Sequence, residues 1–144
     1  MTRRIVCVLV VALTGLAAPK PAAADVEDER DKLQGTWVSV SFEGTGLAKN
    51  ARTATMTFKG KRVTITVGAE TEVADCDMNV DKNPKWLDLV VREGTYVVSD
   101  NKGIYRIQGD TLTICHGGPL RPGKFEVRTG QYHVDSLIVL KRKR

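Results

Sequence analysis

Apolar and polar residues take turns along this chain in short runs. "TWVSVSF" (36–42) is β-branched and aromatic, as strands prefer. "ATMTF" (54–58) and "VTITV" (63–67) flank "KGKR", a turn containing glycine, which predicts a hairpin. "GIYRI" (103–107) and "TLTIC" (111–115) form a second hairpin around Gly109 and Asp110. "WLDLVV" (86–91) and "SLIVL" (136–140) read as further strands, and "HGGPLRPG" (116–123) as a long loop rich in Gly and Pro. No window of about a dozen residues keeps the 3.6-residue period of a helix. Short strands with turn signals about every 8 to 12 residues predict an all-β barrel or sandwich.

The stretch "ADCDMNVD" (74–81) admits two readings. Asp75, Asp77 and Asn79 stand where a calcium loop carries its first, third and fifth ligands. Such a loop also needs Gly at position 6 and Glu at position 12, and Val80 and Trp86 occupy those places. The strand template fits better. Ala74, Cys76, Met78 and Val80 alternate with Asp75, Asp77, Asn79 and Asp81, apolar inward and polar outward. "DKNPK" (81–85) is then a turn, since Pro84 has no ladder donor and disfavours helix at Asn83. In the strand that follows, Leu87, Leu89 and Val91 share one face, and Trp86, Asp88, Val90 and Arg92 the other.

The first residues interrupt the β pattern. Arg3 and Arg4 precede the apolar run Ile5–Leu16, and Ala22 and Ala24 stand at the positions of an A-x-A cleavage site. Together they predict a secretory signal peptide over 1–24; the apolar run is short for a membrane anchor. The mature chain is then expected to be exported, to the periplasm, the cell envelope or the medium, with no membrane span. "DVEDERDK" (25–32) reads as a charged linker or a short helical lead-in, followed by one domain over 33–144. Loss of Arg3, Arg4 and Lys20 takes 22 basic residues to 19 against 17 acidic ones, so the net charge falls from +5 to +2. Four of those positive charges sit in the final "KRKR", so the body of the domain lacks the basic surface that nucleic-acid binding requires.

Candidate chemistry is sparse. Cys76 and Cys115 are the only possible disulfide pair once Cys7 is set aside. Cys76 shares the inward face of Met78, while Cys115 alternates with Leu112, Ile114 and His116 and points outward, so no disulfide is expected. His116 and His133 are the only histidines, too few for a zinc centre without Cys or carboxylate help, and adjacent Cys115 and His116 face opposite ways. Asp75 and Asp77 are spaced like a pair of acid–base carboxylates but lack an apolar setting to raise one pKa. No catalytic residue, metal or cofactor is expected.

Several motifs occur together in order: "LQGTWVSVSFEG", "DKNPKWLDL", "GIYRIQGDTLTIC", "RPGKFEV" and "LIVLKRK". They span roughly 31–143 and resemble a family of small exported bacterial domains, functionally uncharacterised, typical of planctomycetes. The resemblance implies a lipocalin-like fold, an antiparallel meander closing into a barrel of about eight strands. Gly35-Thr36-Trp37 is similar to the lipocalin Gly-x-Trp, and Arg142 would be the basic residue laid across that ring to close the barrel. Lipocalins are longer, and their middle motifs have no counterpart here. On this reading the domain is non-catalytic and binds a small apolar ligand in the barrel mouth, walled by Trp37, Met78, Trp86 and Tyr105, with Arg121 on the rim. The alternatives are an envelope structural or protein-interaction module with a filled barrel and, remotely, a metal-assisted hydrolase. Neither pattern nor resemblance identifies a protein partner.

Overall fold

The computed structural model of the chain describes residues 23–44, 54–94, 101–130 and 135–144. The segment expected to serve as signal peptide therefore lies outside the described residues, apart from Ala23 and Ala24, and so does His133. One helix, α1 (Ala23–Leu33), precedes eight strands. These are β1 (Gly35–Gly44), β2 (Thr55–Lys59), β3 (Arg62–Val67), β4 (Glu70–Asn79), β5 (Lys85–Glu93), β6 (Asn101–Gln108), β7 (Thr111–His116) and β8 (Ser136–Arg142). Each strand pairs with the next, and β8 returns to β1, giving a closed barrel in sequence order. Every pairing is antiparallel. This is lipocalin-like topology, and it resolves the barrel-or-sandwich choice that alternation alone left open. Closure gives every strand a neighbour on both sides.

Register follows hydrophobic alternation. In β4, Ala74 and Cys76 face the interior at 0% and 4% exposure, while Asp75 between them is half-buried and Asp77 is exposed. Asp75, Asp77 and Asn79 pair with Val90, Asp88 and Trp86 on the outer face, so "ADCDMNVD" is wall and not a metal loop. The strand begins earlier than its pattern predicts, at Glu70, and ends at Asn79, leaving Val80 in the turn. Strand interiors meet in one core: Trp37, Val63, Ala74, Leu87, Leu112, Ile114 and Leu140 have no exposed surface. Each fully buried aliphatic side chain of this kind contributes about 2 kcal/mol. A bulge between Ser39 and Ser41 interrupts the β1–β8 seam, and Val40 is left 58% exposed there.

Connections differ at the two ends of the barrel. Where α1 lies, the turns are short, at 60–61, 80–84 and 109–110. At the opposite end β3 and β4 are joined by the short turn 68–69, while β1, β5 and β7 lead there into the longer stretches 45–54, 94–100 and 117–135. The described part of the last, 117–130, folds back over the outer wall as a strap. Gly117 N donates to Lys102 O at 3.0 Å, and Lys102 N donates to Gly118 O at 2.8 Å, so the strap starts by extending the pairing of β6. Arg128 donates from Nε and Nη2 to the two carboxylate oxygens of Asp135 at 2.6 and 2.8 Å, and from Nη2 to Leu120 O at 2.7 Å. Asp135 is fully buried, so this ion pair fixes the return into β8.

Candidate functional site

The closed end is built around Trp37. Its indole Nε1 donates to Leu33 O at 2.8 Å, which ties the last turn of α1 to β1. The Arg142 guanidinium stacks on the ring, 4.1 Å from its centre. From there it donates to Gln34 O and Lys32 O, both at 2.6 Å, satisfying carbonyls left open at the helix C-terminus. Gly35 lets the chain turn from helix to strand with φ of +103°, beneath Arg142. The predicted Gly35–Trp37–Arg142 set thus comes together in space.

Helix α1 turns an unusual stripe toward the barrel. Val26, Glu29, Arg30 and Leu33 have the i, i+3, i+4, i+7 spacing of one helix face, yet two of them are charged. Glu29 is 7% exposed and accepts a hydrogen bond from Lys85 Nζ at 2.6 Å. Burial alone would raise its carboxyl; the bond and charge of Lys85, with Lys32, outweigh this and hold it below the usual range. Arg30 Nε and Tyr105 Oη are buried without a hydrogen-bond partner. Tyr105 is 1% exposed; burial, Glu29 and Cys76 push its phenol well above its ordinary range. Burial also takes the Cys76 thiol up to about 12, against the pull of Arg30.

Toward the open end the interior loosens. Val91 and Ile138 are 9% and 8% exposed, and Phe42, Ile65 and Val67 are only half-buried. His116 joins this end from β7. It pairs with Gly103 on the inner face and packs so closely that a Cβ at position 103 would stand 2.2 Å from the imidazole Cδ2. Its Nε2 lies near Leu87 O but makes no well-formed hydrogen bond. Burial pushes the imidazole down to about 4; Asp88 opposes the shift and Arg121 adds to it.

The residues expected to wall one pocket lie in three places. Trp37 and Tyr105 are sealed in the closed half. Met78 faces the interior, half-buried, near the α1 end of β4. Trp86 stands on the outer wall, opposite Ile104 and Asn79, clasped between Arg121 at 3.9 Å and Lys82 at 5.0 Å. Arg121 belongs to the strap. It pairs through both terminal guanidinium nitrogens with Asp88, the Nη2–Oδ2 distance being 2.8 Å, and donates to Gly103 O. It thereby answers one of two aspartates, Asp77 and Asp88, that face each other across β4 and β5. Asp75 is answered by Arg92 at 2.7 Å. Arginines thus answer Asp75 and Asp88 on this outer face.

Both cysteines among the described residues are free and buried, Cys76 inside the barrel and Cys115 outside it. The outward direction of Cys115 agrees with its sequence pattern, but the strap covers it completely; its Sγ lies 3.6 Å from Glu126 O. Burial and the Asp135 carboxylate take this thiol up to about 11. At neutral pH neither sulfur is a thiolate, the form that attacks electrophiles or binds metals. Among the described residues no group of three or more His, Cys, Asp or Glu is placed to hold a metal ion. No described helix is long and apolar enough to cross a membrane.

Glu29, Arg30, Lys85 and Asp88 escaped sequence reasoning. The 3.6-residue spacing of Val26, Glu29, Arg30 and Leu33 was the available signal for the first two. Comparison of the chain with protein-family models, curated proteins and solved structures finds no match.

Proposed function

We propose that this chain is a non-catalytic binding module that holds a small, mainly apolar ligand in a shallow cup at the open end of the barrel. The observation that carries this reading is the change in exposure along the interior. Most side chains in the closed half are sealed, Met78 and Ile107 being half-buried, whereas Phe42, Ile65, Val67, Val91 and Ile138 at the other end keep accessible apolar surface. Strands β1, β5 and β7 end there and lead into the longer stretches between strands, and binding residues are commonly carried on loops set by a rigid scaffold. Kinship with the exported planctomycete domains, carried by the five motifs, and export by way of residues 1–24 belong to the same proposal. A second reading, a filled barrel serving as a structural or interaction module, is supported by the complete burial of Leu87, Leu112, Ile114 and Leu140.

Titration with an apolar fluorescent dye separates the two. The cup predicts saturable binding that Ile138→Trp abolishes by filling the space. Absence of saturable binding, or binding unchanged in the Ile138→Trp protein, would reject the cup and favour the filled barrel.

A further inference from the structure

We propose a second site at the opposite end of the barrel, beneath α1, where Arg30, Tyr105 and Lys85 bind the carboxylate of a small organic acid and Glu29 stands in for that carboxylate when none is bound. This site is independent of the open-end cup.

The argument starts from donors without acceptors. Arg30 Nε and Tyr105 Oη are buried and unpartnered, and Tyr105 is 1% exposed. A buried donor left without a partner costs about 1 to 3 kcal/mol, more if charged. Such groups persist where a ligand gives them a role. Both donate well to carboxylate oxygen, and the guanidinium favours a negative one. The local charge agrees. Arg30, Lys85 and Lys32 bring three positive charges, and Glu29 is the one carboxylate that meets both lysines. One more negative charge still leaves the cluster short of over-neutralisation.

Glu29 is held like a bound ligand. Its Oε2 accepts from Lys85 Nζ at 2.6 Å and Lys32 Nζ at 3.5 Å while the residue is 7% exposed. It is nevertheless part of the covering element, and α1 is fastened unevenly. At its C-terminal end, Leu33 O accepts from Trp37, and Lys32 O and Gln34 O accept from Arg142. Gln34 also receives Gly60 N at 2.7 Å. One turn earlier, the tie to the barrel wall is the Glu29–Lys85 contact. The helix is thus arranged as a lid hinged near Leu33 and Gln34, with Glu29 as its latch. An acid that takes Lys85 from Glu29 gains the two waiting donors and releases the latch. No covalent step is involved; one carboxylate exchanges for another.

Calorimetric titration of the purified chain with sodium benzoate at pH 7 and fixed ionic strength tests this, with sodium phosphate as the second probe. Saturable benzoate binding is expected, weakened about fivefold or more by Tyr105→Phe, which removes one charge-assisted hydrogen bond. Glu29→Gln should tighten binding by removing the competing carboxylate, although it weakens the fold. A merely structural role for Glu29 would not produce opposite changes in affinity and stability. Ile138→Trp, at the other end, should leave benzoate binding unaltered. Arg30→Gln should weaken benzoate binding likewise; if that protein fails to fold, the near-isosteric Tyr105→Phe carries the test. The proposal is overturned by absence of saturable benzoate binding, by an unchanged affinity in Tyr105→Phe, by loss of binding in Ile138→Trp, or by phosphate binding in place of benzoate.

Discussion

Two arginines lie on two tryptophans in this barrel, and the pairs do different work. Arg142 covers Trp37 at the closed end, where the ring has no exposed surface and its Nε1 holds α1. Arg121 covers Trp86 on the outer wall, where the ring is only half-buried and the guanidinium holds the strap to Asp88. Inside, the aromatic ring fills the core and the arginine satisfies helix carbonyls. Outside, the arginine answers a carboxylate and the ring mainly gives it a platform. The same contact thus contributes packing at one site and charge compensation at the other, and burial decides which.

Substitutions should separate the pairs. Trp37→Ala opens a cavity in the sealed half and should cost about 3 to 5 kcal/mol in urea unfolding. The next largest effect is acid titration beneath the outer pair. His116 takes its proton near 6.5 when unfolded and near 4 when folded. Between those values the unfolded chain binds more protons, so stability rises with pH and is lost as pH falls through the window, by about 3 kcal/mol in full. The difference between the pH–stability profiles of the parent and His116→Leu should show this step near pH 4 to 6.5. A flat difference means that the imidazole is solvated. Arg121→Met removes the bidentate partner of Asp88 and leaves that carboxylate facing Asp77; about 2 kcal/mol should be lost. Trp86→Ala should cost least, about 1 kcal/mol, through lost stacking. Equal losses in Trp37→Ala and Trp86→Ala would erase the distinction drawn between the two rings.

The inner pair was legible in the chain because its parts lie on the first and last strands of a recognisable pattern. Gly35 and Trp37 sit together, and Arg142 ends the final apolar run. The outer pair was not. Arg121 and Asp88 are 33 residues apart, and only the return of the strap across β5 and β6 brings them together. Alternation located the strands and their faces, including the inward side of Cys76 and the outward side of the aspartates. It missed the start of β4, where Glu70, Thr71 and Glu72 carry no apolar signal. It also missed the buried side of α1, because Glu29 and Arg30 made "DVEDERDK" look wholly solvent-facing. Those charges are neutralised or left waiting by residues on distant strands, which no local pattern contains.

The strap over Cys115 and the barrel around Cys76 turn the two sulfurs into timers. Cys115 is covered by an irregular segment whose lifting is a local opening, whereas Cys76 lies inside the barrel and is reached only when α1 lifts from its end or the wall parts. A thiol reagent should therefore mark them at separate rates. One rate counts how often the strap comes away while the barrel stays shut, and the other how often the barrel's end or wall opens.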